Sequence, residues 1–179
     1  DGEWHVEETW PSKDVERQLH DVSSWGVMGT VSSSSSITLL SQPLDSEIHI
    51  SGLPTFHAKV TANSCNGGQL FVTMLDGTTG LRLGHATMDL RYRDGGYEAK
   101  PVTPFSSYTM RMEFNPMDVV IPEGHIIQLD ITESGEDYLP STCSSVGITL
   151  SNQEQPLSIP VIYRSPSDER WFDVPPWWE

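Results

Sequence analysis

The sequence predicts an all-β protein, folded as a two-sheet antiparallel β-sandwich. Three observations predict it. Apolar and polar residues alternate with a period of two along much of the chain, helical periodicity is nearly absent, and clusters of Gly, Asp, Asn and Pro separate the alternating stretches. Residues 17–20 form a short first candidate strand, and residues 38–40 and 47–50 supply two more. In residues 55–61, Phe56, Ala58 and Val60 face one way while His57, Lys59 and Thr61 face the other. Ala86, Met88, Leu90 and Tyr92 repeat the pattern against Thr87, Asp89, Arg91 and Arg93. Tyr108, Met110, Met112 and Phe114 repeat it against Thr109, Arg111 and Glu113. Such strands have one wet and one dry face, as in a sheet packed on a second sheet.

Residues 70–75 are apolar almost throughout and predict a more deeply buried strand. Three further inward sets follow: Ile127, Leu129 and Ile131; then Val146, Ile148 and Leu150; then Leu157, Ile159, Val161 and Tyr163. Pro160 cannot donate a ladder hydrogen bond, so the last strand is expected at a sheet edge, or to bend there. Turns are predicted at Asp76-Gly77, Asp94-Gly95-Gly96, Pro122-Glu123-Gly124 and Ser134-Gly135, residue types suited to positive φ or tight reversal. The five serines at residues 32–36 read as a flexible loop or the polar start of a strand, the loop being the preferred reading. Roughly nine or ten strands at this spacing imply Greek-key or jelly-roll connections.

With 179 residues the chain is expected to form one domain, 1–179. Residues 1–20 are its leading segment and first strand, 37–163 the main sandwich, and 164–179 an aromatic tail. Ten Lys and Arg against 25 Asp and Glu give a formal net charge of −15, which opposes phosphate backbones and anionic lipid, so nucleic acid is not an expected partner. No stretch reaches the roughly 18 consecutive apolar residues that span a bilayer, so membrane insertion is not expected. The start Asp1-Gly2-Glu3-Trp4 carries neither an initiator Met nor a signal segment, the expectation being a processed chain or an excised domain.

A series of landmarks then points to a family. Trp4-His5-Val6-Glu7-Glu8-Thr9-Trp10-Pro11 is followed by Arg17-Gln18-Leu19-His20, Ser51-Gly52-Leu53-Pro54 and the turn Leu75-Asp76-Gly77. The segment Ile121-Pro122-Glu123-Gly124-His125-Ile126-Ile127-Gln128-Leu129 comes next. In this order they resemble the C-terminal β-domain of X-prolyl dipeptidyl aminopeptidases and cocaine-esterase type serine hydrolases, over nearly the whole chain. The resemblance implies a jelly-roll, galactose-binding-like sandwich that packs on an α/β-hydrolase domain, supports its cap and cleft, and contributes to oligomer contacts. Family members commonly carry Arg after the Gly-His step, where this chain has Ile126. Their nucleophile sits in a Gly-x-Ser-x-Gly elbow, and no such pentapeptide occurs in this sequence. No catalytic residue is therefore assigned, and the chain alone is expected not to be an enzyme. The parent reaction would be acyl transfer to a serine and then to water.

Other candidate sites are read against plainer roles. The six histidines lack the spacing of a triad or a zinc site, and His49 and His57 are the pair that strands could bring together. Carboxylates cluster at Glu7-Glu8, at Glu133 with Glu136-Asp137, and at Asp168-Glu169. No spaced calcium loop accompanies them, so no cofactor is expected, with structural calcium the exception to test. Cys65 and Cys143 sit in turn-rich segments, either as a disulfide closing a long loop or as two free thiols. Trp171, Phe172, Trp177 and Trp178 crowd the tail beside Pro175-Pro176. They either cover the sandwich's own edge or dock on a catalytic domain or identical subunit, with sugar stacking a third reading. The function expected is a non-catalytic hydrolase domain. The alternative is a self-standing assembly or carbohydrate-binding module, and the expected setting is extracellular or secreted.

Overall fold

Alternating apolar residues set which face of each strand enters the core. In the computed structural model, which describes residues 10–11, 13–95, 97–135 and 138–163, twelve strands form among the described residues. They are β1 (Val15–Asp21), β2 (Thr30–Val31), β3 (Ile37–Leu40), β4 (Ile48–Gly52), β5 (Thr55–Ala62) and β6 (Gln69–Asp76). The second half comprises β7 (Leu81–Asp89), β8 (Ser107–Glu113), β9 (Met117–Ile121), β10 (Ile127–Thr132), β11 (Ile148–Leu150) and β12 (Pro156–Ile162). A four-stranded sheet runs in the order β3-β10-β6-β7. An eight-stranded sheet follows the path β2-β11-β5-β12-β4-β9, with β1 added on β12 and β8 on β5.

The dry faces of the two sheets meet. Ala58 lies opposite Met110 and Phe56 opposite Met112 in the larger sheet, while Leu129 lies between Leu39 and Met74 in the smaller. All of these side chains are buried. Each large one stabilises the fold by about 1.5–3 kcal/mol relative to exposure.

A crease marked by prolines crosses the larger sheet. β4 and β5 lie end to end, because both pair antiparallel with β12: Ile50 opposite Val161, and Phe56 opposite Leu157. Across from them β9 pairs with β4 and β8 with β5, so the breaks at Leu53-Pro54 and Asn115-Pro116 fall side by side. The Phe114 amide spans them, donating to the Pro54 carbonyl at 3.0 Å. Pro160 sits in β12 where its partner on that side changes from β5 to β4. A residue without an N–H is tolerated there because the ladder is already interrupted. Gly52 closes β4 with φ 133°, and a Cβ on it would lie 3.2 Å from the Pro160 ring. Arg17 of β1 reaches the same place, donating to the Leu53 carbonyl at 3.5 Å and to Ser158 Oγ at 3.2 Å.

Several expectations are corrected. Of the two expectations for Pro160 the edge is excluded: β12 is an interior strand, paired with β1 on one side and with β5 and β4 on the other, and Pro160 sits where that second partner changes. The alternation from Ala86 to Tyr92 stops at Asp89, whose side chain accepts from the Arg91 amide and caps a 3₁₀ turn over Leu90–Tyr92. Val146 lies in a turn before β11, half-buried, and Tyr163 is exposed. The chain does turn after β6 as expected, with the positive φ at Gly80, 76°. The serine run is a hydrogen-bonded reversal: Ser32 N donates to Ser35 O, Ser35 N to Ser32 O, and Ser33 N to Ser144 O at 2.8 Å.

Candidate functional site

The residues that carry the family landmarks meet as structural junctions. Asp76 ends β6, and Ile127 at the start of β10 lies opposite it in register, which brings His125 to the Asp76 carboxylate. His125 Nδ1 donates to Asp76 Oδ2 at 2.8 Å. Thr79 Oγ1 donates to the same oxygen at 2.7 Å, and the Thr78 and Thr79 amides donate to Oδ1 at 3.0 and 3.4 Å. Burial works to raise the Asp76 carboxyl, but these hydrogen bonds outweigh it and hold it below its ordinary value. Ile126 contributes its backbone, with its carbonyl accepting from Gly77 N at 2.8 Å and its amide donating to Thr78 Oγ1 at 3.1 Å.

The remaining histidines separate. His49 bonds Asp118 across the β4–β9 pair, while His57 lies opposite Arg111 in the β5–β8 register. His85 accepts from Arg82 at 3.0 Å, stacks on Phe71 with ring centroids 5.2 Å apart, and contacts the Tyr138 hydroxyl at 3.2 Å. Among the described residues no group of three His, Cys, Asp or Glu could hold a metal ion. The carboxylates Glu7, Glu8, Glu136, Asp137, Asp168 and Glu169 lie outside the described residues, as do Trp171, Phe172, Trp177 and Trp178.

One end of the sandwich collects the polar features. Cys65 and Cys143 are joined as a disulfide, with Cα atoms 5.8 Å apart, tying the loop after β5 to the loop before β11. Within the second loop Gly147 N donates to Cys143 O at 2.8 Å, and Cys143 N to Ser141 Oγ at 3.1 Å. Ser141 N donates to Glu133 Oε1 at 2.8 Å. A hollow of about 340 Å³ opens beside it, lined by serines 32–36 with Thr132, Glu133 and Ser134. Sequence reading left Glu133 in a solvated acidic cluster, yet it is 3% exposed. Its signal was parity: it continues the inward series Ile127, Leu129, Ile131, so the strand's dry face ends on a carboxylate. Gln155 was also missed. Fully buried, it accepts from Lys59 N at 2.8 Å and donates to Lys59 O at 3.0 Å and Ser151 O at 2.8 Å.

Among the described residues the landmark side chains brace turns and junctions of the sandwich. Residues 12–166 match the family described as X-Pro dipeptidyl-peptidase C-terminal non-catalytic domain, and the chain belongs to that family. Solved structures share the fold. A CocE/NonD family hydrolase from Staphylococcus aureus matches with TM-score 0.66 and 14% identity, over 90% of this chain and 39% of its own. An aminopeptidase from a marine sediment Thaumarchaeota archaeon gives 0.63 and 13%, over 90% and 39%. An α-amino acid ester hydrolase gives 0.58 and 14%, over 86% and 33%. The chain thus spans well under half the length of the hydrolases it resembles. No curated protein matches it in sequence.

Proposed function

We propose that the chain serves a serine hydrolase of the X-prolyl dipeptidyl-peptidase or cocaine-esterase type, packing against its α/β-hydrolase core, supporting the active-site cleft and contributing subunit contacts. The observation that carries this reading is the family match over residues 12–166, a domain described as non-catalytic. The chemistry, acyl transfer from a peptide or ester to a serine and then to water, belongs to residues outside this sequence. What this domain supplies is a rigid double sheet whose turns are fixed by side-chain bonds such as His125 to Asp76. The Cys65–Cys143 bond and the acidic surface support an extracellular or secreted setting.

A serine-directed fluorophosphonate tests the reading. The purified 179-residue chain should remain unlabelled, while protein captured from its source with an antibody to this chain should carry label on a serine outside it. Label on the purified chain, or none on the captured material, contradicts the proposal.

A further inference from the structure

The hollow beside Glu133 has the chemistry of a small-molecule site. Glu133 follows β10 directly and is 3% exposed, and among the described residues only the Ser141 amide donates to its carboxylate, on Oε1. Its second oxygen, Oε2, has no protein donor among the described residues, and Glu133 is one of the residues that line the hollow. A carboxylate so deeply buried, with one amide donor, is under-compensated until further donors reach its free lone pairs.

The opposite wall is preformed. Ser33 N is fixed to Ser144 O at 2.8 Å, Ser35 Oγ donates to Thr30 O at 2.8 Å, and Ser32 Oγ accepts from Ser34 N at 3.3 Å. Those bonds hold the turn and leave the hydroxyls of Ser33, Ser36 and Ser134 without a protein partner among the described residues.

Size and charge narrow the ligand. The volume of about 340 Å³ lies at the low end of small-molecule sites, about 300–1,000 Å³. Every lining side chain is a hydroxyl or a carboxylate, which disfavours an apolar ligand. The carboxylate and the net charge of −15 disfavour an anion. A calcium ion takes about 6–8 oxygens at close range, and a single carboxylate in a wide hollow does not supply that set. A neutral polyol does fit, because its hydroxyls donate to Glu133 and both donate to and accept from serines. We infer that this hollow binds a neutral polyhydroxylated molecule of monosaccharide size, with the Glu133 carboxylate as its principal acceptor.

The test is a titration of the ¹⁵N-labelled full chain, followed by amide shifts, with D-glucose, D-galactose and D-mannose, and separately with calcium chloride and methylammonium. At least one hexose should give saturable shifts confined to residues 32–36, 132–134 and Ser141. Binding should weaken at least tenfold in Glu133→Gln, which keeps an acceptor for the Ser141 amide, and in Ser36→Leu, an exposed position whose added bulk enters the hollow. Absence of saturable shifts with all three hexoses overturns the inference. So do shifts that survive both substitutions in folded protein, or saturation by calcium or methylammonium alone.

Discussion

His125 and Asp76, 49 residues apart in sequence, meet through an Nδ1 to Oδ2 hydrogen bond of 2.8 Å that locks the turn after β6 to the segment entering β10. Both residues belong to the landmarks on which the resemblance read from the sequence rests, and the bond gives those two landmarks a structural role. A buried acceptor with four donors fixes one geometry for two turns at once.

Asp76→Asn should destabilise the fold by about 1–3 kcal/mol at neutral pH, since it replaces an ionised acceptor and turns one oxygen into a donor. The pH dependence has a definite sign. A carboxyl held below its ordinary value stabilises the fold above the unfolded pKa, about 3.9, and loses that contribution as pH falls through the folded value. The gap between wild type and Asp76→Asn should therefore narrow in strong acid, as read by urea melts at several pH values.

Gln155→Ala should cost about 3 kcal/mol or more. It strips the Lys59 amide, the Lys59 carbonyl and the Ser151 carbonyl of their side-chain partner inside a buried site. Hydrogen exchange reports it directly: the Lys59 amide should lose protection more than amides of β10, on the other sheet.

Gly147→Ala should be among the most damaging single changes, above about 4 kcal/mol. A Cβ there would lie 1.8 Å from the Val31 carbonyl oxygen, and φ is 71°. Gly95→Ala is the control: φ is 76°, but nothing lies within 4 Å of the added carbon, so only the conformational strain of about 1–2 kcal/mol remains. Thermal melts of the two variants separate crowding from backbone strain.

Reducing the Cys65–Cys143 bond should lower stability by about 4.5 kcal/mol on the chain-entropy account, because the bridged residues are 78 apart. Intact mass before and after reduction should differ by two hydrogens, and the oxidised form should melt later. Free thiols in the protein from its source would overturn the pairing.

Alternation makes most of the sandwich legible in the sequence, because a strand buried on one face must repeat every two residues, as Phe56, Ala58 and Val60 do. The misplaced features lay where side chains act on the backbone locally. Asp89 ends an alternating pattern by capping a turn, and nothing in the alternation itself announces that. Pro160 reads as an edge or a bend, and the sequence does not choose between them because it does not show that β4 and β5 share one lane of the sheet. Glu133 was hidden by its acidic neighbours, although its parity with Ile131 placed it inward. Ser33 and Ser36 face Glu133 only through tertiary folding of segments about 100 residues apart, which no local pattern encodes.

The most direct test of the account is native mass spectrometry of the protein recovered from its source, since it reports covalent length and stoichiometry together. The account predicts that these 179 residues occur within, or bound to, a polypeptide that carries an α/β-hydrolase domain. Finding them as the entire mature protein, alone or as a homopolymer, would contradict it and leave the family membership as ancestry without the associated role.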